Sequence, residues 1–141
     1  MAVKPQTSYP IFAGVFTIVS ASILIVLAVY LMFLRFGFPY PNQTAFLMYY
    51  LASDAVNLAT DAIGLVGGIM LLMRRHYILA VVGVTVVLLH SISYAQYAVF
   101  QLVVSQSLDF VAILYFLGCA AALALSISAA VFTVKSKTEF S

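Results

Sequence analysis

Four long apolar stretches, separated by short polar segments, dominate the hydrophobic pattern of the chain. They cover about residues 11–36, 45–73, 77–101 and 108–134, and each exceeds the ~20 apolar residues that a helix needs to cross a bilayer. Transmembrane β-strands would instead alternate in hydrophobicity over about ten residues. The connections leave no room for a soluble domain. Residues 1–141 are therefore predicted to form one all-α membrane protein, an up-down-up-down bundle of four transmembrane helices.

The composition agrees with this class. Of the 141 residues, 65% are hydrophobic and 7% are charged, whereas a soluble domain carries roughly 25% charged residues. A cleaved signal sequence would have an apolar core of only ~7–15 residues. Because the first apolar run continues to Leu34, we expect it to be retained as a span. Cys119 is the single cysteine and is interpreted as a small core residue of the fourth span.

The basic residues predict the orientation, because Lys and Arg in short loops favour the cytoplasmic side. Only Arg35 falls at the end of the bundle away from the termini. The other five fall at the end that holds the termini: Lys4, Arg74, Arg75, Lys135 and Lys137. We therefore expect a multi-pass plasma-membrane protein with both termini in the cytoplasm and with Arg74 and Arg75 as topology anchors. Asn42, in an Asn-Gln-Thr sequon, would then face outward as a possible glycosylation site.

Polar residues interrupt the middle of the second span, in the segment SDAVNLATDA (53–62). Asp54 and Asp61 are seven residues apart, so they lie within about 20° of each other around a helix, and Asn57 lies about 60° to one side. A charge at the middle of a bilayer costs ~3 kcal/mol on insertion scales. These side chains are therefore predicted to face protein rather than lipid.

Small residues follow the same side of the second span. Thr60, Gly64 and Gly68 form a small-xxx-small run, which allows helix backbones to approach closely in lipid. We expect the second and third spans to pack along these three positions.

The third span carries a matching polar face, on which His90, Tyr94, Tyr97 and Gln101 recur at helical spacing. Ser93 flanks this face. Since the loop between the two spans is very short, they are predicted to form an antiparallel hairpin, in which paired residue numbers sum to about 150. This register gives three pairings: Asp61 beside His90, Asn57 beside Ser93, and Asp54 beside Gln96 and Tyr97.

Three interpretations of this polar cluster remain open. The side chains could stabilise helix association and fix the register, at ~0.6 kcal/mol per contact. They could form a protonatable or ligand-contacting site, because ionisable residues inside membranes often mark proton relays and ion paths. One His and two carboxylates could also hold a divalent metal ion, although no second His lies on that face.

Other chemistries have little support in the sequence. It contains no glycine-rich phosphate loop, no set of nucleophile, His and acid, and no basic patch for nucleic acid. His76 lies at the wrong depth to pair with His90 around a haem. We predict no cofactor and no catalytic activity of its own.

Three stretches of the chain are similar to those of a known class of proteins: YPIFAGVFTIVSASILIV near the start, GLVGGIMLLMRRHYILAVVGV at the hairpin and VKSKTEF near the end. The layout resembles small four-span membrane proteins of unknown function from archaea and bacteria. The resemblance implies a four-helix fold in a prokaryotic cell membrane, and it carries no activity. Asp54, Asp61 and His90 are not part of that pattern.

Two functions follow as expectations. The first is an accessory or structural subunit of a larger membrane complex or homo-oligomer, favoured by the small size of the chain and by small residues on the fourth span: Ala120, Ala121, Ser126 and Ala129. The second is a protein that relays protons or binds a small polar or quinone-like ligand through Asp54, Asp61 and His90. The lipid bilayer is a partner in both cases.

Overall fold

The structure is a computed structural model that describes residues 7–37, 44–105 and 110–140. Four helices account for most of these residues: α1 (Tyr9–Gly37), α2 (Thr44–Leu72), α3 (Tyr77–Ser105) and α4 (Phe110–Lys135). A single 3-10 turn follows at Lys137–Glu139. The predicted all-α four-helix architecture is confirmed, and α3 continues past the predicted end at residue 101. Asn42 lies outside the described residues.

Each helix is long and apolar enough to cross a membrane. Many large apolar side chains lie on the outside of the bundle, among them Phe33, Ile78 and Phe110, each more than 70% exposed. Exposing apolar surface to water costs a free energy of ~25 cal/mol per Å². Contact with lipid in place of water removes this cost. The protein is therefore a multi-pass membrane protein.

The helices run alternately up and down, and each packs against its two neighbours in sequence order around the bundle. α1 contacts α2 and α4 most closely, and α3 contacts the same two helices. Both described ends of the chain therefore lie at one end of the bundle, together with the loop between α2 and α3. We call the half of the bundle nearer this end the terminal half.

The loop between α2 and α3 is a tight reversal that fixes the hairpin register. The Arg75 N–H donates to the carbonyl of Met70 and the Arg74 N–H to that of Leu71, both at 3.1 Å, which is the Schellman pattern of a helix C-terminus. Arg74 takes the left-handed conformation that this pattern requires (φ 52°). A non-glycine residue in this conformation bears a cost of roughly 1–2 kcal/mol, so its neighbours must hold it in place.

Arg74 is held by contacts from both ends of the chain. Its guanidinium lies 3.4 Å from Glu139 Oε2 and donates to the carbonyl of Thr7 at 3.0 Å. The Thr7 hydroxyl in turn donates to the Glu139 carboxylate. This arrangement connects the start of α1, the hairpin loop and the segment after α4.

Glycines bring α2 into backbone contact with both of its neighbours. A Cβ placed on Gly67 would lie 2.6 Å from the Cα of Gly83 in α3, closer than real side chains come. We call this pair the glycine contact. A Cβ placed on Gly64 of α2 would collide with the side chain of Val87 in α3. The backbones of α2 and α3 therefore touch within the terminal half.

The predicted packing residues of α2 are only partly correct. Gly64 does face α3, but Gly68 faces α1, where a Cβ would lie 3.1 Å from the carbonyl oxygen of Gly14. Thr60 is half-buried, and its hydroxyl donates to the carbonyl of Val56 within its own helix. The prediction was wrong about Gly68 because α2 packs against both α1 and α3, and its small residues are divided between these two neighbours.

Candidate functional site

Asp61 and His90 form a buried hydrogen-bonded pair between α2 and α3. The distance from Asp61 Oδ1 to His90 Nδ1 is 2.6 Å, Asp61 is fully buried and His90 is 8% exposed. The contact predicted from the hairpin register is therefore confirmed. Asp61 lies near the middle of the apolar stretch 48–72, and His90 near the middle of 77–104. The pair thus lies at the depth where the bilayer is least polar.

Each member of the pair keeps a second polar atom that is buried and without a hydrogen-bond partner among the described residues: Asp61 Oδ2 and His90 Nε2. Leaving such a group unpaired costs about 1–3 kcal/mol. Buried polar atoms of this kind call for a physical explanation, which is often a functional one. The His90 ring also makes an edge-to-face contact with the ring of Tyr94, with 4.8 Å between centroids.

His90 lies on the wall of a cavity of about 280 Å³ to which all four helices contribute. We call it the polar cavity, because most of its lining residues carry a polar group, although apolar atoms make up most of the lining surface: Leu31, Tyr50, Ser53, Asp54, Asn57, His90, Ser93, Tyr94, Tyr97 and Tyr115. It occupies the half of the bundle away from the termini, which we call the cavity half. Asp54 is 2% exposed, whereas Ser53 and Ser93 are exposed. The cavity thus extends from a buried floor to the lipid-facing surface.

A second cavity of about 500 Å³ lies beside the polar cavity in the same half. Leu31, Tyr97 and Tyr115 line both of them. The remaining lining of the second cavity is mainly apolar: Tyr30, Leu34, Ala98, Gln101, Leu102, Val111 and Ala112. The two spaces therefore share one wall, and in both of them the lining surface is mainly apolar.

The polar cavity ends at the pair, because the helices close together on the side toward the termini. There Gly64 meets Val87 and the glycine contact brings the two backbones together. Beyond it, Leu71, Ala80 and Val84 belong to a buried apolar cluster. Buried hydroxyls in this half bond backbone carbonyls: Thr17 to Ala13, Ser20 to Ala122 and Thr133 to Ala129.

The sequence placed most of the cluster correctly. Asp54, Asn57, Ser93, Tyr94 and Tyr97 line one cavity with His90. The pairing of Asp54 with Gln96 was wrong, because Gln96 is exposed and lies on another face of α3, in a groove with Leu123 of α4. Gln96 follows His90 by six residues, which places it about 120° away around the helix, whereas Tyr97, one residue later, returns to within about 20° of His90. Gln101 does not join the pair; its amide donates to the Tyr97 hydroxyl at 2.8 Å.

Four lining residues were not predicted as part of the site: Leu31, Tyr50, Ser53 and Tyr115. Tyr50 precedes Asp54 by four residues and Ser53 precedes Asn57 by four, so helical spacing could have included both. Leu31 and Tyr115 come from α1 and α4, and no pattern within α2 or α3 reports which residues the outer helices contribute.

The metal alternative lacks a third ligand. In the parts of the chain that the structure describes, no three His, Cys, Asp or Glu side chains come close enough to hold a metal ion. Asp54 lines the cavity but does not complete a metal-binding group with Asp61 and His90.

Comparison of the chain with known proteins identifies no relative: no protein-family model, no curated protein and no solved structure matches it. Inferences about its function rest on the site itself.

Proposed function

We propose that this membrane protein binds a small ligand in the polar cavity and that the Asp61–His90 pair anchors the ligand. The observation that carries the proposal is that His90 lines the polar cavity and keeps a buried Nε2 that has no hydrogen-bond partner among the described residues. The loop and the glycine contact already fix the register of α2 and α3. The pair is therefore not needed for holding these two helices in place. A buried acid–base pair beside an open polar space is better explained as a binding site.

The shape of the cavity favours ligand binding over proton transfer across the membrane. A relay needs polar groups or water on both sides of the pair, whereas the pair is followed toward the termini by the glycine contact and a buried apolar cluster. The pair therefore communicates with one side only. Proton exchange with a bound ligand remains compatible with this geometry.

The accessory-subunit function has less support from the arrangement of α4. Two of the four small residues that favoured it, Ser126 and Ala129, are buried inside the bundle. Only Ala120 and Ala121 are exposed to a partner or to lipid. Those two alanines alone do not define an interface.

Chemical modification with diethyl pyrocarbonate tests the binding site, because the reagent acylates an imidazole nitrogen that carries a lone pair and therefore reacts with His90 in the form in which Nε2 is an acceptor. His76 is exposed at the hairpin loop and serves as an internal reference. We expect mass spectrometry to find both His76 and His90 modified. Asn57→Leu, which fills the cavity, should slow modification of His90, and the lipid-facing control Ala59→Leu should not. Modification of His76 without any at His90, at every pH from about 6 to about 9, would refute an accessible site.

The proposal also assigns the protein to a prokaryotic plasma membrane, with the terminal half of the bundle facing the cytoplasm. Arg74, Arg75, Lys135 and Lys137 support this orientation. A cysteine introduced at Gln43 should react with an impermeant thiol reagent in intact cells, and one at the exposed Lys137 should react only after lysis. The opposite labelling would reverse the orientation.

A further inference from the structure

We infer that the ligand is a lipid-soluble molecule with a single carbonyl-bearing ring, of the quinone class, which enters the polar cavity sideways from the bilayer between α2 and α3. This inference rests on the proposed function and specifies its ligand. Three independent features of the described residues lead to it: where the cavity opens, what its floor can bond and what space lies beside it.

The opening of the cavity lies at membrane depth. Ser53 and Ser93 are exposed, and Ser93 is eleven residues from the end of its span at Val104, which corresponds to about 16 Å along a helix. A ligand that passes Ser93 therefore arrives from the hydrocarbon region. A molecule confined to water would have to cross lipid first, which favours a ligand that dissolves in the membrane.

The floor of the cavity selects a carbonyl group. With two protons on the Asp61–His90 pair, the pair is neutral overall, whether as carboxylate with imidazolium or as acid with imidazole. In both forms Nε2 carries a hydrogen and is a donor, which matches a carbonyl oxygen. A neutral pair avoids an uncompensated charge in a low-dielectric site.

The same floor can also bind a hydroxyl group. If the pair loses one proton while Nδ1–H still bonds Asp61, Nε2 becomes an acceptor. A quinone presents carbonyl oxygens, and its quinol presents hydroxyl groups, so both forms find a partner at one nitrogen. The ester carbonyls of phospholipids do not fit this position, because they lie near the membrane interface, about 15 Å from its middle.

The size and walls of the cavity fit one ring. A volume of about 280 Å³ is at the lower limit of the ~300–1,000 Å³ found for drug-sized ligands. The rings of Tyr97 and Tyr115 lie edge to face, 6.4 Å apart, on the wall shared with the second cavity. Aromatic walls stack well on a planar ring. The second, mainly apolar cavity can accept a hydrocarbon tail attached to that ring.

Protection of His90 from diethyl pyrocarbonate, in protein embedded in lipid nanodiscs, tests the ligand class. We expect decylubiquinone and decylubiquinol to protect His90 but not His76. Decylbenzene has the same tail and no oxygen, and we expect at least about tenfold weaker protection from it, the factor that corresponds to roughly one hydrogen bond. Equal protection by decylbenzene would overturn recognition of the oxygens.

A pair of serines tests the sideways entry. Ser93 and Ser22 are both exposed, and both donate to the carbonyl four residues earlier, Leu89 and Ile18 respectively. Ser93→Leu, which adds bulk at the opening, should slow the onset of protection by decylubiquinone about tenfold, and Ser22→Leu should leave this rate unchanged. Equal effects of the two substitutions would overturn this entry route.

The outcomes separate this inference from the proposed function. If diethyl pyrocarbonate never modifies His90, the accessible site is absent and both fail. If His90 is modified but neither decylubiquinone nor its quinol protects it, the ligand class is wrong and the binding site stands.

Discussion

The two halves of the bundle solve the packing of membrane helices in different ways. In the terminal half, α2 and α3 touch through Gly67 and Gly83, and buried hydroxyls bond backbone carbonyls. In the cavity half, tyrosines and polar side chains separate the same helices and leave open space. Van der Waals packing is a principal source of helix association in lipid, so the terminal half should supply most of the stability.

The comparison explains how an open site can exist in so small a protein. The Asp61–His90 pair lies at the boundary, where backbone contact changes to contact through side chains. The tight half fixes the relative height of α2 and α3, and the open half is then free to present polar atoms to a ligand. Each prediction below alters one side of this division.

The largest effect should come from the glycine contact. Gly67→Ala would place a Cβ 2.6 Å from the Cα of Gly83, and backbone atoms cannot move aside cheaply. We expect a loss of about 1–3 kcal/mol, the usual cost of overpacking, measured by unfolding in mixed detergent micelles.

Gly118→Ala is the matched control for this substitution. Its Cβ would meet Leu27 Cδ2 at 3.4 Å, an ordinary contact, and alanine favours a helix over glycine by about 0.5–1 kcal/mol. This variant should be neutral or more stable. Equal destabilisation by both substitutions would refute the division into a tight and an open half.

The pair at the boundary should show an intermediate effect. In a double-mutant cycle with Asp61→Asn and His90→Gln, each single change should destabilise, and the double change should cost less than their sum by about 1 kcal/mol. The same detergent unfolding gives all three values. Strict additivity would mean that the 2.6 Å contact contributes no coupling.

The smallest effect should come from the ion pair at the end of the terminal half. The side chains of Arg74 and Glu139 are 22% and 12% exposed, so Glu139→Gln should cost about 0.5 kcal/mol. This cost should decrease at 1 M salt, where the Debye length falls to about 3 Å, but less than it would for a fully exposed pair. Lys137→Gln, at an exposed neighbour, is the control. A cost that high salt leaves unchanged would assign the effect to packing instead.

The hydrophobic pattern was sufficient to predict the four helices and the position of the Asp61–His90 pair. Length and apolarity define a membrane helix almost completely, and a very short loop leaves little freedom in the register of a hairpin. The number of possible partners for Asp61 was small, because few polar residues lie at its depth.

The sequence predicted less well the contacts that depend on which helices are neighbours. Gly68 and Gln96 were assigned to the α2–α3 contact, but they face α1 and the groove beside α4. The contact of Glu139 with Thr7 joins residues 132 positions apart, and no local period reports it. A lone acid within a basic cluster was the only available signal.

The glycine contact also has a mechanical consequence. Two helices whose backbones touch at one point can pivot about that point, and the displacement of a residue grows with its distance from the pivot. Ser53 lies fourteen residues from Gly67, about 21 Å along the helix. A rotation of about 5° at the contact would therefore move Ser53 by about 2 Å, while residues beside the contact would shift by a few tenths of an ångström. In such a protein the width of the opening and the tightness of the core can be changed independently.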